Sequence, residues 1–427
     1  MKKNVLVFPC GSEIGLEIHR SVSSSTHFKL IGGSSHDDHG KYVYESYVNN
    51  IPFVDDSNFI EHLNKIIKEN NIDYIFPAHD SVVLRLAQAK SRMELACEVI
   101  TSPIETCEIT RSKGETYKKF ISKIPTPVVY ENSDYEKLQF PVFLKPDVGQ
   151  GSKGTQLVSN QKELDFYIEK DPSLLVLEYL PGKEYTIDCF TDAKGRLLFC
   201  EGRERARISN GISVSSNTVS DSRFAKLAEV INTNLIFKGV WFFQVKENRE
   251  GELVLMEIAP RVAGTMGLER ARGVNLPLLS LFAANGYDTQ IFMNSYNVTI
   301  DRALENRYKH NIHYEHVYID FDDLIIFNGK VNPTIISYLY QCLNNGKVLH
   351  LITRHKANLE NTLAKYRLTN IFDELILVKD DEEKAAYITD KNAIFIDDSF
   401  AERKKVYDIC GIPVFDAHMV ESLMETT

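Results

Sequence analysis

A glycine-rich stretch at residues 149–154, GQGSKG, has the composition of a loop that could hold a phosphate. Glycines let backbone N–H groups approach phosphate oxygens closely, so the candidate contacts are Gly149, Gly151, Ser152 and Gly154. A dinucleotide-binding loop needs a strand before the glycines and a helix after them, but a strand-like segment follows here. It is not a P-loop either, because Lys153 is followed by Gly154 and not by Ser or Thr. Taken alone, the loop has a second interpretation as a flexible hairpin tip.

Residues that could recognise the rest of a nucleotide follow in the segment EYLPGKE. The carboxylate and main chain from Glu178 through Tyr179 to Leu180 could frame a purine edge, and Glu184 could accept hydrogen bonds from two ribose hydroxyls. Further on, Gln244 and Glu257 fall on neighbouring strands of a predicted hairpin. An oxygen pair of this kind suits Mg²⁺, which binds a few carboxylates together with phosphates and waters.

Arginines and lysines near these segments offer positive charge. Arg261 follows the hairpin, and its planar guanidinium suits a phosphate. Lys113 precedes a predicted helix and Lys145 ends the strand that enters the glycine loop. Either lysine alone means little, since lysines are usually solvated surface groups.

The order Lys113, Lys145-Pro, GQGSKG, EYLPGKE, Gln244 and EIAPR resembles the ATP-grasp superfamily, most closely its carbamoyl-phosphate-synthetase-like members. The resemblance covers about residues 1–300. It implies that Lys113 and Lys145 bind ATP phosphates, that Glu178, Tyr179 and Leu180 meet adenine, and that Glu184 meets the ribose. It further implies that Gln244 and Glu257 hold Mg²⁺, for which Mn²⁺ can substitute, and that Arg261 acts at the transferred phosphate.

The same resemblance implies an ATP- and Mg²⁺-dependent carboxylate–amine ligase that works through an acyl phosphate. Arg203, Arg205 and Arg207 in GRERAR could then hold an anionic substrate or phosphate; the alternative for each is a solvated edge strand. The family usually has Asn two residues after the metal-binding Glu, where this chain has Ala259. Two other functions stay open: a small-molecule kinase, and a nucleotide-sensing regulatory protein.

Two segments of the first 105 residues are weaker candidates for substrate binding. One is a glycine-containing turn and the other is a polar strand end. Gly11 and Gly15, in FPCGSEIG, could place an anion at a helix N-terminus or could form a tight turn only. His79 and Asp80 end a predicted strand, where substrates of α/β sheets often bind.

A second set of chemically capable residues lies near the C-terminus. Asp320, Asp322 and Asp323 follow an apolar run, Thr353 and Arg354 end another, and Asp397 and Asp398 end a third. Side chains at the carboxyl ends of parallel strands converge on one crevice. Closely spaced carboxylates there suit Mg²⁺ and phosphate chemistry, whereas any single acidic pair could be a helix cap or a solvated turn.

This pattern, with Lys384, resembles the haloacid dehalogenase-like (HAD-like) phosphatases. The resemblance implies Asp320 as nucleophile, Asp322 as general acid and base, and Thr353, Arg354 and Lys384 around the phosphate. Asp320, Asp322 and Asp397 would hold the metal ion. Only 33 residues separate Asp320 from Thr353, which implies a minimal cap. The whole chain would then be a bifunctional ligase and phosphatase.

The elements around these residues predict a multidomain α/β and α+β protein. Strands alternate with helices over residues 1–105, which predicts a parallel, doubly wound sheet, and the resemblance makes this a Rossmann-like domain that precedes the ATP-grasp fold. Residues 106–308 have antiparallel, strand-rich patterning, assigned to the ATP-grasp fold. After a His-rich linker, residues 309–427 repeat the βαβ pattern, assigned to a Rossmannoid HAD-like domain.

Composition excludes several classes of protein. The chain is 43% hydrophobic and 25% charged with net charge −10, as in soluble globular proteins, and no apolar run approaches a membrane span. The seven cysteines are scattered and form no zinc motif. We therefore expect a cytoplasmic protein with no nucleic-acid or membrane partner. The resemblance to the ATP-grasp superfamily implies an enzyme with small-molecule carboxylate and amine partners, and a homodimer is left open.

Overall fold

The computed structural model describes residues 2–149, 151–209 and 211–425. The chain forms two compact units, residues 1–304 and 305–427. The predicted division of the first unit near residue 105 remains a prediction. No helix within the described ranges is long and apolar enough to cross a membrane.

The first unit contains fifteen strands among its described residues: β1 (Lys3–Phe8), β2 (Phe28–Gly33), β3 (Tyr47–Val48), β4 (Tyr74–Pro77), β5 (Glu98–Val99), β6 (Val129–Tyr130), β7 (Val142–Pro146), β8 (Gln156–Val158), β9 (Leu174–Glu178), β10 (Glu184–Thr191), β11 (Leu197–Ser209), β12 (Ile212–Val219), β13 (Gly239–Glu247), β14 (Leu253–Ala259) and β15 (Thr299–Asp301). Its described α-helices are α1 (Glu13–Val22), α2 (Phe59–Glu69), α3 (Asp80–Ser91), α4 (Ile104–Arg111), α5 (Lys113–Phe120), α6 (Gln161–Lys170), α7 (Ser222–Asn234), α8 (Gly267–Ala271) and α9 (Leu276–Ala284).

The N-terminal strands form a five-stranded parallel sheet in the order β3-β2-β1-β4-β5. The predicted parallel sheet is therefore present. At the turn after β1, the Gly11 N–H donates to the Asp38 carboxylate at 3.2 Å, and a Cβ atom on Gly11 would collide with that carboxylate. Ser12 caps α1 by accepting a hydrogen bond from the Gly15 N–H. The chain's own Asp38 thus occupies the turn, which favours the tight-turn interpretation over an external anion.

Two antiparallel sheets follow in the first unit. One has the order β6-β9-β7-β8, and the other has the order β14-β13-β10-β11-β12-β15. The turns DAKG (residues 192–195) and NREG (residues 248–251) join β10 to β11 and β13 to β14. The larger sheet packs the fully buried Trp241 against Phe237, with ring centroids 4.0 Å apart. Because β11 lies between β10 and β12, the interpretation of GRERAR as an edge strand is wrong.

The second unit contains β16 (His316–Ile319), β17 (Ile326–Phe327), β18 (Lys330–Val331), β19 (Val348–Thr353), β20 (Glu374–Leu377), β21 (Ala393–Ile396) and β22 (Val414–Phe415), with helices α10 (Pro333–Asn344), α11 (Leu359–Tyr366) and α12 (Phe400–Cys410). Five strands form a parallel sheet in the order β20-β19-β16-β21-β22. Asp320, Thr353 and Asp397 all lie at the carboxyl ends of its central strands. Only the β17–β18 hairpin and its turns separate Asp320 from α10, which leaves a small insertion at this edge.

Candidate functional site

A cleft in the first unit, with about 900 Å³ of space that is partly open to solvent, collects most of the predicted nucleotide residues. Strands of both antiparallel sheets contribute to its walls. The predicted residues that line it are Lys113, Lys145, Gly149, Gly151, Ser152, Glu178, Tyr179, Leu180, Glu184, Arg205, Gln244 and Glu257. Residues separated by more than 140 positions are thereby brought to one surface.

The glycine loop needs backbone conformations that favour glycine. Gly151 and Gly154 have φ angles of 60° and 75°, and Ser152 has φ of 52°. At the tip of the β11–β12 hairpin, a Cβ atom on Gly211 would lie 2.2 Å from the Gly151 carbonyl oxygen. The loop and the hairpin tip therefore touch backbone to backbone. Gly154 lies outside the lining of the cleft, and Gln150 of the motif lies outside the described residues.

Lys145 is buried at the end of β7, and its ammonium donates to the Met256 carbonyl oxygen at 3.3 Å. The Tyr117 hydroxyl donates to the same oxygen at 2.8 Å. Met256 is the extra residue of a bulge, because Gln244 pairs with Glu257 while Val245 pairs with Leu255. Burial lowers the pKa of Lys145 to about 8, although the Glu257 charge raises it in part. The site therefore holds a cation whose desolvation a bound anion would offset.

Lys113 begins α5 and reaches back to the loop between β7 and β8. Its ammonium lies 3.3 Å from the Asp147 carbonyl oxygen and 3.4 Å from that of Gly149. Burial lowers its pKa from the ordinary lysine value. Both predicted lysines thus direct partly desolvated charge into the cleft.

Gln244 and Glu257 face each other across the β13–β14 ladder. Within the described part of the chain, no ion pair or hydrogen bond engages the Glu257 carboxylate. Its charge acts on the ammonium groups of Lys113 and Lys145 and on the Arg261 guanidinium. An unpaired carboxylate beside an amide oxygen fits a cation that retains waters and phosphates. Ala259, two residues on, is buried and supplies no ligand.

Glu184 and Arg205 form an ion pair on neighbouring strands of the larger sheet, and the Lys246 ammonium lies 3.9 Å from the other Glu184 oxygen. Arg205 also donates to the Gly211 carbonyl at 2.9 Å. Glu184 is therefore held in place by cations before any ribose could reach it. The Glu178 carboxylate accepts a hydrogen bond from the Val128 N–H at 3.0 Å, which leaves the following main chain to face the cleft.

Arg261 lies in two smaller recesses that share residues with the cleft. Its Nε and Nη2 donate to the two Asp80 oxygens at 2.6 and 2.8 Å. Burial alone would lower the pKa of Arg261 and raise that of Asp80, but the ion pair reverses both shifts. Asp80 is thus a partner of Arg261, and its oxygens are occupied without a substrate. His79, the residue before it, caps α3.

Arg203 lies deeper than its sequence suggested. It is 1% exposed, and it binds the fully buried Asp188 at 2.7 Å and the Thr265 hydroxyl. Arg207, two residues beyond Arg205, is exposed and pairs with Asp301. The three arginines of GRERAR thus have three different environments, and only Arg205 lines the main cleft.

In the second unit, the Lys384 ammonium lies 2.7 Å from Asp320 and 2.6 Å from Asp397. Asp320, Asp397 and Asp398 each present an oxygen within a 4.8 Å group that could hold a metal ion. Burial raises the pKa of Asp320 to about 6, against the opposing charge of Lys384. Thr353 is buried, and its hydroxyl has no hydrogen-bond partner among the described residues. This hydroxyl lies at the same end of the sheet as Asp320 and Asp397, where it could donate a hydrogen bond to a phosphate oxygen.

Two predicted residues of this unit lie apart from the acidic group. Both Asp322 oxygens are within 3.0 Å of His355 Nδ1, and the side chain is half exposed. Asp322 therefore lies outside the carboxylates that could hold a metal ion, contrary to its expected role as a ligand. Asp398, which was not among the expected metal ligands, belongs to those carboxylates. Arg354 is held by Glu402 at 3.2 Å and by the Glu382 carbonyl at 2.6 Å, so its donors point to protein.

Other lining residues were missed by sequence reasoning. Lys246 follows Gln244 by two positions on β13, so strand alternation could have placed it on the same face. Met256 was not foreseeable, because the bulge depends on the register of two strands. Phe143, Leu177 and Ile208 give the cleft apolar walls.

Part of this chain matches known proteins in sequence. Residues 170–304 match the family described as "ATP-grasp in the biosynthetic pathway with Ter operon". The carbamoyl phosphate synthase large chain of Clostridium beijerinckii is 31% identical over 146 residues, which are 31% of this chain and 14% of the relative. That of Clostridium botulinum strain Alaska E43 is 28% identical over 218 residues, covering 48% and 19%. This chain therefore spans less than a fifth of these relatives.

Solved structures share the fold at low sequence identity. The biotin carboxylase domain dimer of Hydrogenobacter thermophilus 2-oxoglutarate carboxylase, in complex with MgADP, ADP and bicarbonate, has a TM-score of 0.57 and 14% identity, covering 69% of this chain and 71% of that one. An L-amino acid ligase from Bacillus licheniformis has a TM-score of 0.54 and 19% identity, covering 66% and 74%. The family match ends at residue 304, before the second unit begins. Residues 170–304 therefore match an ATP-grasp family, about two thirds of the chain shares its fold with these solved structures, and the chain has carbamoyl-phosphate-synthase-like homologues.

Proposed function

We propose that the first unit is an ATP- and Mg²⁺-dependent ligase that activates a carboxylate as an acyl phosphate and joins it to an amine. The observation that carries the proposal is the cleft, which unites two partly desolvated lysines, a glycine loop and the Gln244–Glu257 pair. The homologues support the same class of chemistry, and MgADP in a structural neighbour supports the nucleotide.

Each side chain then has a physical task. The lysines and the loop N–H groups hold the phosphates, and the main chain from Glu178 to Leu180 contacts the adenine edge. Glu184 binds the ribose after its ion pair with Arg205 opens. Gln244 and Glu257 would hold Mg²⁺, which when bound offsets phosphate charge. Arg261, fixed by Asp80, would orient the acceptor carboxylate or stabilise the transferred phosphoryl group.

The carboxylate, the amine and ATP are the only reactants that this reaction consumes. A carboxylate oxygen attacks the γ-phosphorus, the bond from that phosphorus to the ADP oxygen breaks, and an acyl phosphate forms. The amine nitrogen then attacks the acyl carbon, phosphate leaves and the amine loses a proton. The products are an amide, ADP and inorganic phosphate.

The test is a screen of the full chain for ADP release with Mg²⁺ and pairs of amino acids and small carboxylates, with mass detection of products. We expect ADP and phosphate in equal amounts, together with an amide, for at least one pair. Glu257→Gln should abolish turnover, whereas Glu250→Gln, at an exposed position of the same hairpin, should not. ADP with a stable phospho-product would indicate a kinase, and tight ATP binding without turnover would indicate a sensor; either outcome overturns the ligase.

We further propose that residues 305–427 form a HAD-like, Mg²⁺-dependent phosphatase site. The observation that favours it is the Asp320–Lys384–Asp397 group at the same end of the sheet as the orphaned Thr353 hydroxyl. The Asp320 oxygen would attack the phosphorus of a phosphate monoester while Asp322 protonates the departing alcohol. Water, deprotonated by Asp322, would then release phosphate from Asp320.

This second proposal has its own test. Hydrolysis of an aryl phosphate by the full chain should be lost in Asp320→Asn and retained in Asp323→Asn, a neighbouring exposed carboxylate with positive φ that Asn tolerates. Equal hydrolysis by wild type and Asp320→Asn would contradict it.

A further inference from the structure

A separate cluster of polar side chains lies on the parallel sheet of the second unit. It is at the opposite end of that sheet from the Asp320 and Asp397 carboxylates. His316 opens β16, His350 lies within β19, and Asp390 precedes β21. Asp320 follows the same β16 strand four residues later, about 13 Å along it. The group is therefore distinct from the phosphate site.

Its ligand atoms are spaced for one metal ion. His316 Nδ1 lies 3.0 Å from His350 Nε2 and 3.6 Å from an Asp390 oxygen, and all three ligand atoms lie within 4.8 Å of one another. Zinc–nitrogen and zinc–oxygen bonds of about 2.0–2.1 Å in a tetrahedron separate neighbouring ligands by about 3.3 Å. The two measured distances bracket that separation.

The surroundings of His350 are those of a metal-binding histidine. Its Nδ1 lies 2.7 Å from a Glu374 oxygen, so the Nδ1–H donates to that carboxylate and the Nε2 lone pair faces His316 and Asp390. Carboxylates that hold the second nitrogen of a ligating histidine fix its tautomer and ring orientation. Tyr318 stacks on the His350 ring at 4.2 Å and donates its hydroxyl to Asp390 at 2.5 Å, so a second member of the group is also oriented.

We propose that His316 Nδ1, His350 Nε2 and a carboxylate oxygen of Asp390 bind one Zn²⁺ ion. The side chains of His316 and Asp390 are partly exposed, at 24% and 33%, so water can complete the tetrahedron. Imidazole ligands favour Zn²⁺ over Mg²⁺, which prefers an all-oxygen site such as Asp320, Asp397 and Asp398. The alternative is a metal-free chain of hydrogen bonds in which the His316 Nδ1–H donates to His350 Nε2.

Zinc binding to the metal-free full chain, titrated by calorimetry in excess Mg²⁺ to fill oxygen sites, tests the proposal. We expect one equivalent of Zn²⁺. Affinity should fall at least tenfold in His350→Gln and Asp390→Asn, and about 10- to 100-fold in Glu374→Gln. His418→Gln, an exposed histidine of the same unit, is the matched control and should bind as wild type does. No binding, or equal binding by wild type and His350→Gln, would overturn the site.

Binding of Co²⁺ to the wild-type chain tests the same site without any substitution. Added to the wild-type chain in excess Mg²⁺, Co²⁺ should produce the intense visible absorption of a four-coordinate site, and one equivalent of Zn²⁺ should remove it. A spectrum that shows only octahedral Co²⁺ would overturn the proposed coordination.

Discussion

The ammonium of Lys145 donates to the carbonyl oxygen of Met256, the residue that a bulge in β14 leaves outside the strand ladder. This contact ties the smaller antiparallel sheet to the larger one across the floor of the cleft. It offsets the cost of desolvating the Lys145 ammonium only in part, since a neutral carbonyl is a weaker hydrogen-bond partner than an anion.

Nucleotide binding should therefore depend on the protonation of Lys145. Its pKa is about 8 in the free protein, and a bound phosphate raises it. ATP affinity should be full below about pH 8 and should fall as pH rises through that value, with proton uptake on binding. Calorimetry in buffers of different ionisation enthalpy measures this uptake. Lys145→Arg should remove the pH dependence, and an unchanged profile in that variant would assign the titration elsewhere.

The buried Arg203–Asp188 pair should be costly to break from one side. Arg203→Met leaves the Asp188 carboxylate without its cation, which should lower the free energy of unfolding by about 3–5 kcal/mol. Arg203→Met with Asp188→Asn should recover part of that loss. Arg207→Met breaks an exposed pair on the same strand and should cost about 0–1 kcal/mol. Denaturant unfolding of the three variants checks the order, and equal losses at Arg203 and Arg207 would contradict it.

Glu269 should make the free energy of unfolding fall as the pH rises from about 5 to 8. Burial, with the nearby Asp188 charge, raises its pKa to about 8. A carboxyl with a raised folded pKa stabilises the fold fully below its unfolded value of about 4.5, and this contribution is lost as pH rises through the folded value. Glu269→Gln should flatten the decline between about pH 5 and 8 relative to wild type. Parallel stability curves for Glu269→Gln and wild type would show that the group does not titrate as described.

His355 should act as a positioning residue for Asp322 if the phosphatase proposal holds. Its Nδ1 contacts both Asp322 oxygens, and its Nε2 lies 2.9 Å from the Thr362 hydroxyl. His355→Gln should lower kcat for aryl phosphate hydrolysis about 10-fold or more and leave KM unchanged. A purely structural role would instead lower the free energy of unfolding in proportion to the lost activity, and an unchanged kcat would contradict the positioning role.

The local features of the fold were predictable from sequence, and the long-range pairings were not. The alternation of strands and helices over residues 1–105 was predictable, because apolar spacing and helix caps such as Ser12 before α1 are local features. The environments of Arg203, Arg205 and Arg207 were not, since alternating arginines are typical of a solvated strand. Only the pairing of β10 with β11 places Asp188 and Glu184 beside the first two of them.

The same limit applied to the candidate sites. The carboxylates at the ends of β16 and β21 were predicted to converge because parallel strands end at one edge, and they do. Tertiary packing that no motif encodes determines three other features. These are the contact of Asp322 with His355, the bulge at Met256 and the ion pair of Asp80 with Arg261.

Contact between the glycine loop and the β11–β12 hairpin gives a last prediction, about Gly211. Its φ is 74°, and an added Cβ would lie 2.2 Å from the Gly151 carbonyl oxygen, so Gly211→Ala must push the two backbones apart. Gly251, with φ of 80° and open space around its Cβ position, is the matched control. Both substitutions carry a similar backbone penalty of about 1 kcal/mol. Only Gly211→Ala should also weaken ATP binding, because only there does the strain reach the loop that lines the cleft. Calorimetric affinities for the two variants decide the matter: equal, wild-type-like affinities would mean that the hairpin tip does not help to shape the loop.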